Sequence, residues 1–315
     1  MKPFVLLMIS GLLTGGVLTA GKLAGTGQIP PMTLLLWQVS GGALMLWLAS
    51  LSSGLLPRWN RSAVRYYLVG GLLSVSLPFA LAFVVLREIP VGLLGMISAL
   101  SPLMTYGLSN IFASETGSRR QLLGLFVGLL GVVLIMLPKG ADPVSASWPY
   151  LVLALCIPLS LAGGNIFRSV AWPAGGAPMS LATGMLTMQS LWLLPATLIF
   201  DQFQLPGVAH GDSGLLGIAL ALMAGGSYLS SLALLRIGGP VYLSQIGYVV
   251  TAVTVVFGAT LLGERYGVRD WITIGLIFIG ILMSGRPTKR LAMTDTARIE
   301  QGPNVSRRCL AECDG

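Results

Sequence analysis

Charge is scarce in this chain of 315 residues. Lys, Arg, Asp and Glu together make up 10% of it, against about a quarter in ordinary soluble domains. Apolar residues make up 54%, and the mean hydropathy is +0.82. That shortage excludes a water-exposed globular surface and points to lipid as the solvent. Histidine is nearly absent, with His210 the only one. A buried Ser–His pair or a histidine-ligated zinc therefore has no residues to build it. The three cysteines, Cys156, Cys309 and Cys313, form neither a disulfide framework nor a metal-binding spacing. Basic residues outnumber acidic ones, 19 to 11. No basic stretch interleaved with aromatics turns that excess towards nucleic acid. The basic residues sit between apolar runs instead, as membrane orientation requires. No Asp, Glu, Lys, Arg or His falls near the middle of an apolar run. Ionisable groups inside a membrane mark proton relays and ion paths. Their lack argues against a proton antiporter built on a buried carboxylate, and against an intramembrane aspartyl protease. Neither enzymatic activity nor a cofactor is expected.

What the chain does have is ten apolar runs, at roughly 3–21, 32–52, 66–86, 91–112, 121–138, 148–167, 178–200, 214–235, 240–262 and 269–285. A helix needs about 20 mostly apolar residues to cross a bilayer core. Backbone groups in hydrocarbon must be bonded internally, and the alternation of a membrane barrel is missing. The expected fold class is an all-α integral membrane protein with ten transmembrane helices. A cleaved signal peptide is the rival reading of the first run, with Thr19-Ala20-Gly21 as a loose cleavage site. The run is needed as partner of the sixth, so it is read as a helix.

The chain also contains itself twice. Shifted by 149, Arg87 falls on Arg236, Thr105 on Thr254, Glu115 on Glu264, Arg120 on Arg269 and Gly131 on Gly280. These anchors are mostly polar or Gly positions in apolar sequence, where chance matches are rarer than among leucines. Five runs separate the copies, an odd number, so the second half is upside down relative to the first. That is an inverted-topology repeat, a build found in secondary transporters. The expected organisation is a first five-helix repeat over 1–140, a second over 141–290, and a disordered tail over 291–315.

Orientation follows from Lys and Arg. Lys2, Arg58, Arg61, Arg65, Arg119, Arg120, Arg168, Arg236, Arg286, Lys289 and Arg290 share the side of both termini. Lys22, Arg87, Lys139, Arg265, Arg269 and most loop acids lie opposite. Both termini are therefore expected in the cytoplasm, at a bacterial inner membrane. Asn304-Val305-Ser306 matches a glycosylation sequon, but it would go unused on a cytoplasmic tail.

Arg87, Glu115, Arg236 and Glu264 are candidate structural or gating residues. The plainer account is an acid near the positive start of the next helix and a base at the negative end of the preceding one. Uncharged polarity is the other signal, and it is uneven. The fourth run carries Ser98, Ser101, Thr105 and Ser109 at helical spacing, hence on one face. The ninth carries Gln245, Tyr248 and Thr251. The third has Ser74, Ser76, Pro78 and Phe79; the sixth has Pro158, Ser160, Gly163, Gly164 and Asn165; the eighth has Gly225, Gly226, Ser227 and Tyr228. Gln38 and Gln189 complete the amides. Ser and Thr often bond back to their own helix, and Gly allows close packing. A lipid-facing Gln is costly, so Gln245 with Tyr248 is the favoured pair for lining a polar cavity.

Five-plus-five helices with a Glu after the fourth of each half resemble the drug/metabolite transporter superfamily, of the EamA type. Leu261-Leu262-Gly263-Glu264 and Ala113-Ser114-Glu115, followed by Gly-containing last helices, carry the resemblance. Pro102 and Lys22 also fit; Ser114, Thr273, Thr14-Gly15 and Trp37-Gln38 depart from the pattern. The resemblance implies a mid-membrane cavity between helices 1, 3, 4 and 6, 8, 9, with 5 and 10 peripheral. The polarity count reaches the same partition and adds Gln38 and Gln189.

The expected function is export of a small polar or zwitterionic metabolite, such as an amino acid, by alternating access. The expected substrate-binding residues are Ser76, Phe79, Ser98, Ser101, Thr105, Asn165, Tyr228, Gln245, Tyr248 and Thr251. Two alternatives stay open. One is an anionic-metabolite transporter that uses Lys22, Arg87, Arg168 or Arg236. The other is a non-transporting sensor or assembly protein whose tail binds a partner or lipid. The expected partners are a small-molecule substrate and the bilayer, with a homodimer left open and nucleic acid excluded.

Overall fold

A computed structural model describes residues 2–26, 29–112, 120, 122–124, 126–127, 130, 134, 148–200, 213–268, 271–272, 275–276, 279–280 and 283. Glu115, Gly131, His210, Arg269, Cys309, Cys313 and the tail 291–315 lie outside the described residues, as do the expectations resting on them. Among the described residues every regular element is helical. Seven helices among the described residues are long and apolar enough to cross a membrane, and Ile246–Leu261 is a shorter apolar helix. The chain is thus an all-helical, multi-pass membrane protein.

The first two crossings are α1 (Lys2–Thr26) and α2 (Pro31–Ser53). Pro31 at the first turn starts α2, and Gly54, at φ 69°, stops it. The third crossing is composite: α3 (Arg61–Arg65), two π-helical turns (Tyr66–Gly70 and Leu72–Ser76) and α4 (Leu77–Val85). The Asn60 side chain caps its start by accepting from the Ala63 N–H at 2.8 Å. Wide turns shift carbonyls out of the helical ladder. Gln189 Nε2 takes two of them, donating to Tyr67 O at 3.0 Å and Leu68 O at 3.3 Å.

The fourth crossing is broken into α5 (Val91–Ser98) and α6 (Ser101–Phe112). The second half follows with α7 (Trp148–Val170), α8 (Pro178–Phe200), α9 (Ser213–Ser244) and α10 (Ile246–Leu261). Within α9 the helix breaks at Gly239, whose φ of 75° and ψ of 176° only glycine adopts readily, directly before Pro240. A second break, at Gln245, separates α9 from α10.

The halves interleave. α1 packs on α9 and α10, α2 on α8 and α9, α4 and α6 on α7, and α5 on α10. Small polar pairs join the halves in the interior. Ser10 donates to Ser230 at 2.7 Å, Thr14 meets Ser227 at 2.6 Å, and Ser50 meets Thr183 at 2.8 Å. Without a hydrophobic drive between helices in lipid, close packing and such bonds hold the bundle. Large apolar side chains such as Leu44, Leu48, Leu198 and Ile199 face outward, as a lipid-facing surface requires.

Candidate functional site

The site begins with missing backbone donors. Pro78 has no N–H, so the Ser74 carbonyl four residues earlier lacks its helical partner. The Tyr228 hydroxyl, from α9, donates to it at 3.2 Å. The same stretch leaves the Ser74 hydroxyl buried and without a partner. On the other side, Ser160 of α7 donates to Leu73 O at 2.8 Å. The third crossing is therefore tied to α7 and α9 around an opening rather than closed on itself.

That opening is a cavity of about 100 Å³. Thr14 and Leu18 of α1 line it, with Ser74, Pro78, Phe79 and Ala82 of the third crossing. Leu94, Ser98 and Ser101 come from the fourth, and Ile157, Leu161, Asn165 and Arg168 from α7. Ser227, Tyr228 and Ser231 of α9 complete the wall with Ser244, Ile246, Gly247 and Val250 around the Gln245 break. No residue of α2 or α8 lines it. The wall is mostly apolar with dispersed hydroxyls, the usual make-up of a small-molecule pocket. Phe79 and Tyr228 meet edge to face, with ring centres 6.5 Å apart.

Both broken crossings end at this wall. α5 stops at Ser98 and α6 restarts at Ser101; α9 stops at Ser244 and α10 restarts at Ile246. The two breaks touch. A Cβ on Gly247 would lie 2.7 Å from the Ser98 carbonyl oxygen, so only glycine fits. Nearby, Thr251 Oγ1 donates to Gly95 O at 2.7 Å.

Five of the ten expected substrate-binding residues line the cavity: Phe79, Ser98, Ser101, Asn165 and Tyr228. The other five sit behind the wall. Ser76 donates to Gln189 Oε1 at 2.6 Å, so Gln189 braces the third crossing and faces no opening. Thr105, Gln245, Tyr248 and Thr251 are buried away from it. Thr105 and Tyr248 are buried in the packing between helices, and Thr251 Oγ1 is engaged with Gly95 O. Both amide atoms of Gln245 and of Gln38 are buried without a hydrogen-bond partner, as are Thr105 Oγ1 and Ser109 Oγ.

Arg168 is where the structure departs most from the expectation. The sixth run was expected to end near 167, with Arg168 beyond it. Instead α7 continues to Val170, and Arg168 is 4% exposed with its side chain on the cavity wall. Its Nη2 donates to Asn165 Oδ1 at 2.7 Å, and its Nε reaches Gly164 O at 3.4 Å. Thr14, Ser231 and Ser244 were also missed; single hydroxyls carry no signal of direction.

Two of the four gating candidates, Arg87 and Glu264, lie at one end of the bundle, around the loop before α5. Glu264 accepts from the Val91 N–H at 2.9 Å and the Gly92 N–H at 3.4 Å, and from the Tyr266 hydroxyl. A second-half carboxylate thus caps the start of a first-half helix. Beside it, Lys22 Nζ donates to Leu86 O at 2.5 Å and Ile89 O at 3.0 Å, and Arg87 Nη2 to Ile29 O at 3.0 Å. Arg236 is exposed, three residues before the Gly239 break.

The architecture is shared with known proteins. A solved crystal structure superposes with a TM-score of 0.67 at 18% identity, covering 90% of this chain and 98% of that one. Protein PecM of Dickeya dadantii (strain 3937) is 24% identical over 214 residues, which are 66% of this chain and 69% of PecM. The uncharacterized transporter YyaM of Bacillus subtilis (strain 168) is 22% identical over 209 residues, 62% of this chain and 64% of YyaM. The chain therefore spans about two thirds of the length of these relatives. The EamA-like transporter family matches over residues 1–137 and 148–286, nearly the whole of the hydrophobic chain. On that match this chain belongs to the EamA-like transporter family, within the drug/metabolite transporter superfamily.

Proposed function

We propose that this transporter exports a small polar metabolite across a bacterial inner membrane by alternating access at the central cavity. The observation that carries the reading is the cavity's wall. It draws on the first, third, fourth, sixth, eighth and ninth crossings together, and on both mid-helix breaks. Broken helices around a mid-depth site are the build of secondary transporters. Phe79, Ser98, Ser101, Asn165 and Tyr228 contact the solute in this reading. Ser76, Thr105, Gln245, Tyr248 and Thr251 shape the wall from behind.

Size supports a metabolite rather than a nucleotide conjugate. At about 10–15 Å³ per water on this measure, a cavity of about 100 Å³ holds roughly seven to ten waters. That suits a molecule of amino-acid size. Lys22, Arg87 and Glu264 hold the end of the bundle that faces away from the cytoplasm. Arg236, the repeat equivalent of Arg87, closes the opposite end in the other state. A ten-helix, two-repeat organisation (1–140 and 141–290, then the tail 291–315) is supported by the 149-residue shift. The two family-matched segments support it too. The Lys and Arg distribution supports cytoplasmic termini.

The test is uptake and counterflow in proteoliposomes of purified protein, with labelled amino acids and small organic acids, with and without a pH gradient. Saturable flux of at least one solute above protein-free liposomes is expected. No flux for any solute under either condition contradicts the proposal.

A further inference from the structure

We infer that the solute carries a carboxylate or another oxyanion, and that Arg168 receives it in the cavity. This rests on the cavity being the transport site. A guanidinium carries five N–H donors and stays charged. Arg168 spends one N–H on Asn165 Oδ1 and a long one on Gly164 O, both neutral acceptors on its own helix. The remaining donors have no acceptor among the described residues. Nor does any described carboxylate neighbour the group: Glu88 is exposed in the loop after α4, and Glu264 is engaged at the start of α5. The cavity wall thus contains one cation and no anion.

A cation held inside a membrane protein without a counter-charge is costly, and such groups pair with something. Here the position open to a partner is the cavity itself. A planar guanidinium matches an oxyanion by paired hydrogen bonds. Asn165 fixes the guanidinium from one side. The unpartnered Ser74 hydroxyl lies on the same wall and offers a further donor. A zwitterion fits if its acid group faces Arg168; a free organic cation does not. A helix-terminal Arg that only satisfies carbonyls would not need to sit on the cavity wall or be 4% exposed.

The test uses purified full-length protein and size-matched probes: L-alanine, L-leucine, lactate and succinate, the amides L-alaninamide, L-leucinamide and lactamide, and inorganic phosphate. Thermal unfolding in detergent reads binding, and proteoliposome counterflow reads transport. At least one oxyanion should raise the unfolding midpoint of the wild-type protein, and its amide should not. The carboxylate and phosphate arms separate the two kinds of oxyanion. Arg168→Gln should weaken that binding about tenfold or more. Asn165→Asp is the second variant, for the case in which Arg168→Gln fails to fold. It places a carboxylate where Arg168 already donates, so it should raise the unliganded midpoint and abolish oxyanion binding together. Arg168→Lys should retain part of the response. Absence of an oxyanion response in the wild type overturns the inference. So does an unchanged response in Arg168→Gln or Asn165→Asp. Flux of amides with no oxyanion preference also overturns it, while leaving the transporter reading standing. Oxyanion binding without flux of any probe does the reverse.

Discussion

Single side chains decide which way the polarity of this bundle faces. Tyr228 supplies the donor that Pro78 withholds from Ser74 O. Tyr228→Phe should therefore lower stability by about 1 kcal/mol and reduce flux, read by thermal unfolding and by counterflow. Unchanged stability would mean that the carbonyl finds another donor. Gln245 is the opposite case. Both its amide atoms are buried without a partner, so Gln245→Leu should be neutral or stabilising by about 1–2 kcal/mol. A marked destabilisation would show that the amide is bonded after all. Residue types were legible in the sequence: Ser98, Ser101, Phe79, Asn165 and Tyr228 stand out as polar or aromatic residues in apolar runs, and they line the cavity. Direction was not, because which face of a helix meets the cavity is set by how the other helices pack around it, and run length and residue type do not give that. Arg168 was misplaced for a related reason. A charge at the end of an apolar run reads as a loop residue, although one more helical turn carries it inside.

Among the elements, the breaks between α5 and α6 and between α9 and α10 do most to position the site. Their contact depends on Gly247, where an added Cβ would meet the Ser98 carbonyl oxygen. Gly247→Ala should cost about 1–3 kcal/mol of stability, as overpacking does, seen as a lower unfolding midpoint. A midpoint equal to the wild type would mean that the two breaks separate easily. Glu264 is the second lever. It caps α5 from the other half of the chain while Lys22 and Arg87 tie down the neighbouring loop. Glu264→Gln should weaken the cap and raise the reactivity of a cavity cysteine towards an impermeant thiol reagent added on that side. Unchanged reactivity would make Glu264 a structural cap alone. Most elements could be foreseen from run length and from the Gly239-Pro240 pair. The π-helical turns of the third crossing could not, since they answer to Gln189, a residue more than a hundred positions away.

At the scale of the whole molecule, the two halves form one interleaved bundle around a shared cavity rather than two units side by side. Arg87 and Glu264 lie at helix ends, and five of the ten residues expected to bind solute line the cavity. The sequence offers Arg168 only as one of four basic candidates for an anionic solute, because its setting on the cavity wall exists only once α1, the third crossing, α7 and α9 meet. Residues 291–315 follow the last apolar run, and their deletion should leave flux unchanged; loss of flux in a protein still present in the membrane would favour a tail-driven sensor. The central claim, that solute passes through this cavity, is tested most directly by a cysteine in its wall. In a background with Cys156, Cys309 and Cys313 replaced by Ser, Ser98→Cys is modified with a maleimide and counterflow is measured, with Leu198→Cys on the outward face as control. Modification at position 98 should stop flux, excess solute should slow that modification, and modification at 198 should leave flux intact. Full flux through protein completely modified at position 98 would contradict the claim.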